Sequence, residues 1–391
     1  MDSLSRSGAC FEVGFRPFFL VAALFGLLTM TLWTAHYAGL FALTLPVVSA
    51  SQWHAHEMVY GYAMAVVAGF LLTAVRNWTG IATLSGLPLF ALVLTWALAR
   101  LAAVAEPALR AAALFDALFC IGLFAAVAAP VLAVRQWRQL GILVKLLLLG
   151  AGNALYYAGA FGYLDTGVSW GLYGGLFLLV SLVLTIGGRV LPGFIERGVG
   201  YDLRIPDPRW LTGANILLFL PFFVAEVFLG ASRVAGAFAI LLCLLGCYRL
   251  TLWHTPGIWR RPLLWGLYLA VAFIVLGFAL YAAAVFATLP KTLAIHAFGL
   301  GGIGMATLAM MARVALGHTG RSVHAPPGAA VAALLLLLTA VLVRVLGPVL
   351  MPAWYAQTVM TAQLLWISAF ALFAARYAGI LLQPRVDAAQ T

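Results

Sequence analysis

Apolar residues fill this chain in twelve long stretches, near 18–39, 54–75, 84–104, 111–134, 143–164, 170–188, 211–230, 233–253, 263–286, 293–313, 329–347 and 354–382. Each is about twenty residues long, and a helix of that length crosses the ~30 Å hydrocarbon core of a bilayer. Polar residues gather in the short segments between them. The pattern predicts an all-α polytopic membrane protein, with about twelve transmembrane helices in one integral-membrane domain spanning 1–391 and no soluble domain. A β-barrel is excluded, because barrel strands are shorter and alternate. One connection is long: Arg189 to Trp210 holds four arginines and three prolines, and an irregular or interfacial loop is expected there.

Composition sharpens this picture. Hydrophobic residues make up 65% of the chain, charged residues 8%, and the mean hydropathy is +1.07. Soluble domains carry about 25% charge, so that class is excluded. The net charge of +11 raises the question of a nucleic-acid partner. The basic residues, however, are scattered singly through short loops without a dense patch, so topology-setting charge is the reading and no nucleic acid is expected. Cys10, Cys120, Cys243 and Cys247 are too few and too apolar in setting for a disulfide framework. Cys243 and Cys247 lie one helical turn apart, either as small buried thiols or as ligands of a soft metal. The first apolar run is long enough to span and is not followed by a small-residue cleavage site, so it is expected to stay as the first helix.

Lys and Arg positions orient the chain. With the N-terminus inside, seventeen of the 22 Lys and Arg residues fall on the inner side. Arg100, Arg110, Arg233, Lys291 and Arg344 are left for the outside. Both termini are therefore expected in the cytoplasm. On that topology His36 ends the first helix, His54 and His56 open the second, and His296 opens the tenth, all on the outer face. His254, His318 and His324 fall on the inner face.

The candidate chemistry follows from these helix ends. Titratable groups at membrane depth mark pathways, relays or ligands. His54 and His56, two positions apart, point about 200° apart on a helix and so face different neighbours. Glu57 is placed to orient His54 as a supporting partner. The His54 face continues through Met58, Gly61, Ala65, Ala68 and Gly69, a lane of small residues. His296 is followed by Gly299, Gly301, Gly302 and Gly304. Glycines in a helix cost roughly 1 kcal/mol each relative to alanine, and here they admit either a neighbouring helix or a flat cofactor. His36, His54, His56 and His296 are the candidate metal ligands. No Cys-x-x-Cys-His occurs, so any haem would be held non-covalently by imidazole, with a bis-imidazole pair from helices two and ten as one arrangement. On the inner side Arg16, Arg189 and Arg313 sit at helix ends, either as positive-inside anchors or as an anion or propionate site. Asn153, Glu226 and Gln363 are isolated polar residues within apolar runs; each is expected to bond a neighbouring helix, and Glu226 also suits a proton path. No phosphate loop, His-Glu-x-x-His or nucleophile triad is present.

Several motifs resemble the NnrS family of bacterial membrane proteins: Gly14-Phe15-Arg16-Pro17-Phe18-Phe19, Trp53-His54-Ala55-His56-Glu57-Met58, Ala68 to Val75, Asn77-Trp78-Thr79-Gly80, Gly187 to Phe194, and His296 to Arg321 with its closing Gly317-His318-Thr319-Gly320-Arg321. Arg76 stands where the family pattern has proline. The resemblance covers most of the chain. It implies twelve helices in the bacterial cytoplasmic (inner) membrane, bound b-type haem and copper, and a role in the response to nitric oxide and nitrosative stress linked to denitrification. The expected activity is redox chemistry or binding of nitric oxide. A twelve-helix plan with histidines on helices two and ten is also a looser analogy to heme–copper oxidases. Helices six and seven lack the histidines of an oxidase copper site, so oxidase-type reduction is not expected. The alternative is a transporter of a metal, haem or small anion, against which no repeated pair of broken helices is visible in the sequence.

Overall fold

The computed structural model describes residues 9–386 except 44, 46, 105 and 231. Among the described residues the chain is all α. The principal helices are α1 Phe15–Tyr37, α2 Ala50–Thr79, α3 Gly86–Ala102, α4 Leu109–Ala133, α5 Leu140–Ala160, α6 Gly167–Gly198, α7 Arg209–Val227, α8 Ser232–Trp253, α9 Pro262–Phe286, α10 Lys291–His318, α11 Gly328–Leu350 and α12 Tyr355–Leu382. Eleven are long and apolar enough to cross a bilayer; α3, at 17 residues, is the short one.

Two expectations are corrected. The segment from Arg189 is not a loop in its first half, because α6 continues to Gly198 and carries Arg189 and Arg197 as helical residues. Pro192 lies inside this helix, as membrane helices tolerate when neighbours re-satisfy the freed carbonyl. Irregular chain follows only after it, where the Ile205 amide donates to the Glu196 carboxylate at 2.8 Å. Second, Arg100 and Arg344 do not lie in outer loops. They are buried within α3 and α11 at 5% and 7% exposure, so they are not topology-setting charges. Arg6, counted with the inner charges, lies outside the described residues.

The chain divides into two compact units, residues 1–178 with 313–322 and 370–391, and residues 179–312 with 323–369. In the first, α1 lies close along α2 because α2 presents small residues. A Cβ on Gly69 would sit 2.8 Å from the Phe19 ring, and one on Gly61 2.5 Å from Phe25. The lane below His54 is thus filled by a helix. At the α5–α6 corner a Cβ on Gly159 would lie 2.2 Å from the Val168 amide nitrogen, a clash with backbone that no rotamer relieves. In the second unit α9 packs on the start of α10. A Cβ on Gly301 would meet Phe273 at 2.7 Å, on Gly302 Ile274 at 2.5 Å, and on Gly304 the Trp366 ring at 2.9 Å. Three of the four glycines that closely follow His296 therefore serve helix packing.

The two most enclosed spans, α2 and α10, share a plan. Each opens with an α-helical turn or two ending in a histidine, His56 or His296, and passes at once into a π-helical segment, Glu57–Ala63 or Ala297–Gly304. Each closes on Thr-Gly at the same spacing from its histidine. Thr79 Oγ1 donates to the Val75 carbonyl and Thr319 Oγ1 to that of Ala315, while Gly80 and Gly320 take φ of 72° and 76°, the left-handed stop that suits glycine. The preceding helices, α1 and α9, carry Arg16-Pro17 and Arg261-Pro262 at their starts. The following helices, α3 and α11, bury Arg100 and Arg344, and the next ones, α4 and α12, bury Asp116 and Gln363. The four-helix series α1–α4 recurs as α9–α12. A repeated pair of interrupted helices, not visible in the sequence, is present.

Overpacking costs about 1–3 kcal/mol when the neighbour can yield, and at Gly159 the neighbour is backbone. Gly159→Leu is expected to abolish or sharply destabilise the folded species in size-exclusion and melting assays. Gly379→Leu, where a Cβ meets nothing within 4 Å, leaves both unchanged. Equal behaviour of the two variants would contradict this corner.

Candidate functional site

A capping box fixes the start of α2: the Gln52 amide donates to the Ser49 hydroxyl, and the Ser49 amide donates to the Gln52 side chain. Trp53 is then driven inward, 2% exposed, its indole donating to the Ala103 carbonyl at 3.1 Å. His56 and Glu57 follow where the helix widens into its π segment, a feature that commonly accompanies functional sites. Trp96 Nε1 on α3 donates to the Gly61 carbonyl at 3.0 Å, which pins the widened turn.

These elements bury four ionisable side chains together. His56 and Glu57 are each 1% exposed, Asp116 1% and Arg100 5%. Arg100 Nη1 donates to Glu57 Oε2 at 2.8 Å, and its Nη2 donates to Asp116 Oδ1. Tyr157 Oη donates to the other Asp116 oxygen at 2.8 Å. His56 Nδ1 lies 2.9 Å from Glu57 Oε1, and Nε2 lies 2.8 Å from Asn153 Oδ1. Both ring nitrogens are thus engaged by protein side chains, and the Arg100 guanidinium bridges the two carboxylates. Tyr156 stacks on the ring at 4.1 Å between centroids, and Tyr60 Oη donates to the Gly171 carbonyl at 2.6 Å.

The sequence-derived residues divide accordingly. His56 is a member of this cluster, with both ring nitrogens engaged by protein. Glu57 does not orient His54, as expected from sequence; it serves His56 and Arg100. His54 instead stacks on Trp33 at 4.7 Å and 11°. His36 contacts the same indole at 5.7 Å, and the Leu43 amide donates to its Nδ1 at 3.3 Å, so it holds the chain leaving α1. His296 Nδ1 donates to the Thr292 carbonyl at 2.7 Å. That bond fixes the tautomer with the lone pair on Nε2, the form in which imidazole ligates metals. His54 and His56 belong to the first unit and His296 to the second. Arg16 Nη1 donates to the carbonyls of Leu381, at 3.0 Å, and Gln383. Arg189 is exposed on α6, and Arg313 is half-buried on α10.

Sequence reasoning passed over Asp116, Arg100 and Tyr157. A carboxylate amid the apolar run of α4 was the available signal, since such groups are kept in membranes only with partners. Asn153 does bond a neighbouring helix, as expected. Glu226 accepts from Lys291 and from Tyr281.

Fit to the expected cofactors differs. A Cβ on Gly299 would meet nothing within 4 Å, so α10 has one open position about a turn below His296. That open position and the His296 imidazole are compatible with haem ligation from α10. Among the described residues no three His, Cys, Asp or Glu side chains are grouped to hold a metal ion.

A bundle of long apolar helices around a sealed ionic cluster defines an integral membrane protein of the polytopic class. The family described as NnrS protein matches residues 9–385. The chain belongs to the NnrS family. No curated protein matches it.

Removing one partner of a buried ion pair costs about 3–5 kcal/mol, because the other charge is left uncompensated. Arg100→Leu is expected to destabilise the protein by that order. Adding Asp116→Asn removes one carboxylate with the guanidinium, restores the wild-type net charge of the cluster and recovers most of the loss. A double variant no more stable than Arg100→Leu alone would contradict the balance.

Proposed function

We propose that this protein binds haem in the bacterial inner membrane and acts in the response to nitric oxide and nitrosative stress linked to denitrification, by redox chemistry or by binding nitric oxide. The observation that carries this reading is His296: its tautomer is set by the Thr292 carbonyl at 2.7 Å, and the position at Gly299 below it is open. Family membership supports it, because the NnrS resemblance implies b-type haem, copper and nitric oxide. Bound haem would supply an iron to which nitric oxide binds. His296 would hold that iron, with Thr292 raising the basicity of the ring. His54, stacked on Trp33, is a separate imidazole candidate within the first unit. His56 has a different task in this reading: it joins Glu57 on α2 to Asn153 on α5 within the buried cluster. Copper stands as the second metal implied by the family.

A transporter reading has one observation in its favour, the π-interrupted helices α2 and α10 at corresponding places in a repeated four-helix series. Broken helices in repeats are where transporters bind substrate. Uptake of labelled metal, haem or small anion into proteoliposomes separates the two readings, since a fixed cofactor gives none.

Optical spectra and metal analysis of detergent-purified protein test the main proposal. A haem band that changes on adding nitric oxide is expected. His296→Ala is expected to lower haem content about tenfold or more, as loss of a ligand does when even its supporting partner is worth 10–100-fold. His56→Ala lowers thermal stability while leaving the band position. Wild-type haem content and spectrum in His296→Ala would refute the assignment.

A further inference from the structure

At the end of the first unit where α1 begins and α2 and α10 end, the fold forms a half-open cavity of about 310 Å³. Its lining brings Arg16, Arg76, Arg385, His318, Asn77 and Glu12 together. These come from four separate parts of the chain, so their meeting is a product of the fold. A volume of that size is at the lower end of small-ligand sites.

The charge in this cavity is unequal. Among the described residues that line it, three guanidinium groups stand against one carboxylate, whatever the state of His318. Arg16 is 2% exposed and gives Nη1 to the carbonyls of Leu381 and Gln383, leaving the other edge of its fork for an acceptor. Arg76 and Arg385 are exposed at the rim, and both act electrostatically on His318. The His318 ring is held against Phe15, 5.6 Å between centroids, so the wall behind the arginines is fixed. Planar guanidinium groups in fixed positions are suited to carboxylate and phosphate oxygens, which they bind in pairs. Helix anchors that serve only to orient a chain have no reason to converge on one cavity.

We propose that this cavity binds an oxyanion group, phosphate or carboxylate, with Arg16, Arg76 and Arg385 as its ligands. The site is independent of the haem reading. Its volume exceeds that of a lone phosphate, so the group is carried on a larger body. Two sources fit that chemistry: a soluble organic anion, or the headgroup of an anionic phospholipid reaching the cavity from the bilayer.

The test uses full-length protein in a zwitterionic detergent at constant ionic strength, followed by melting temperature. Citrate and inorganic phosphate probe the soluble source; phosphatidylglycerol against phosphatidylcholine probes the lipid source. A saturable rise with citrate or phosphate assigns a soluble anion. A rise with phosphatidylglycerol alone assigns a headgroup. In either case Arg76→Gln and Arg385→Gln, at exposed positions that leave the fold intact, shift the midpoint at least tenfold to weaker binding. Glu12→Gln, which removes the opposing carboxylate, shifts it to tighter binding. No saturable effect from any probe, or a response that the two arginine variants leave unchanged, would overturn the proposal.

Discussion

Four ionisable side chains buried in an apolar bundle must balance their charges, and that requirement organises the first unit of this protein. An uncompensated ion in such surroundings costs several kcal/mol even after the protein relaxes. Arg100 therefore reaches from α3 to Glu57 on α2 and Asp116 on α4, and His56 meets Glu57 and Asn153. Three helices are tied by one guanidinium. The π segment of α2 belongs to the same constraint, since it begins at Glu57 and is held by the Trp96 indole.

The repeated series shows what varies when that constraint is lifted. In the second copy Ala297 follows the histidine where Glu57 follows the first, and the buried polar residues of α12 are the uncharged Thr358 and Gln363 where α4 has Asp116. The carboxylates have gone, and glycines occupy the π segment of α10. One copy has become an ionic staple. The other keeps a histidine whose ring is oriented by a backbone carbonyl beside an open position. A shared backbone plan thus supports two unlike chemical settings, which is how a fold hosts function without dictating it.

Much of the architecture was legible in the apolar runs, because a bilayer admits few alternatives to long helices. The opening of α2 and α10 by histidines was legible too, as was the divergence of His54 and His56 around the helix. The partners were not. Arg100 is an ordinary residue near a helix end in sequence, and only the fold shows that it faces inward toward Glu57. The spacing of Glu57 suited His54, yet the π turn carries its carboxylate to His56 and Arg100. Hydropathy placed a loop after Arg189, whereas backbone continuity carries α6 on to Gly198. Convergence of Arg16 with Arg76 and Arg385 depends on where distant helix ends meet, which no local pattern records.

Both ring nitrogens of His56 meet protein side chains, and this arrangement is expected to hold when haem is bound. A cryo-EM map of the purified, haem-loaded protein tests it most directly. It should show the His56 ring between the Glu57 carboxylate and the Asn153 amide, with no metal density at either nitrogen. Metal density within bonding distance of Nδ1 or Nε2 of His56, with Glu57 or Asn153 turned away, would contradict it.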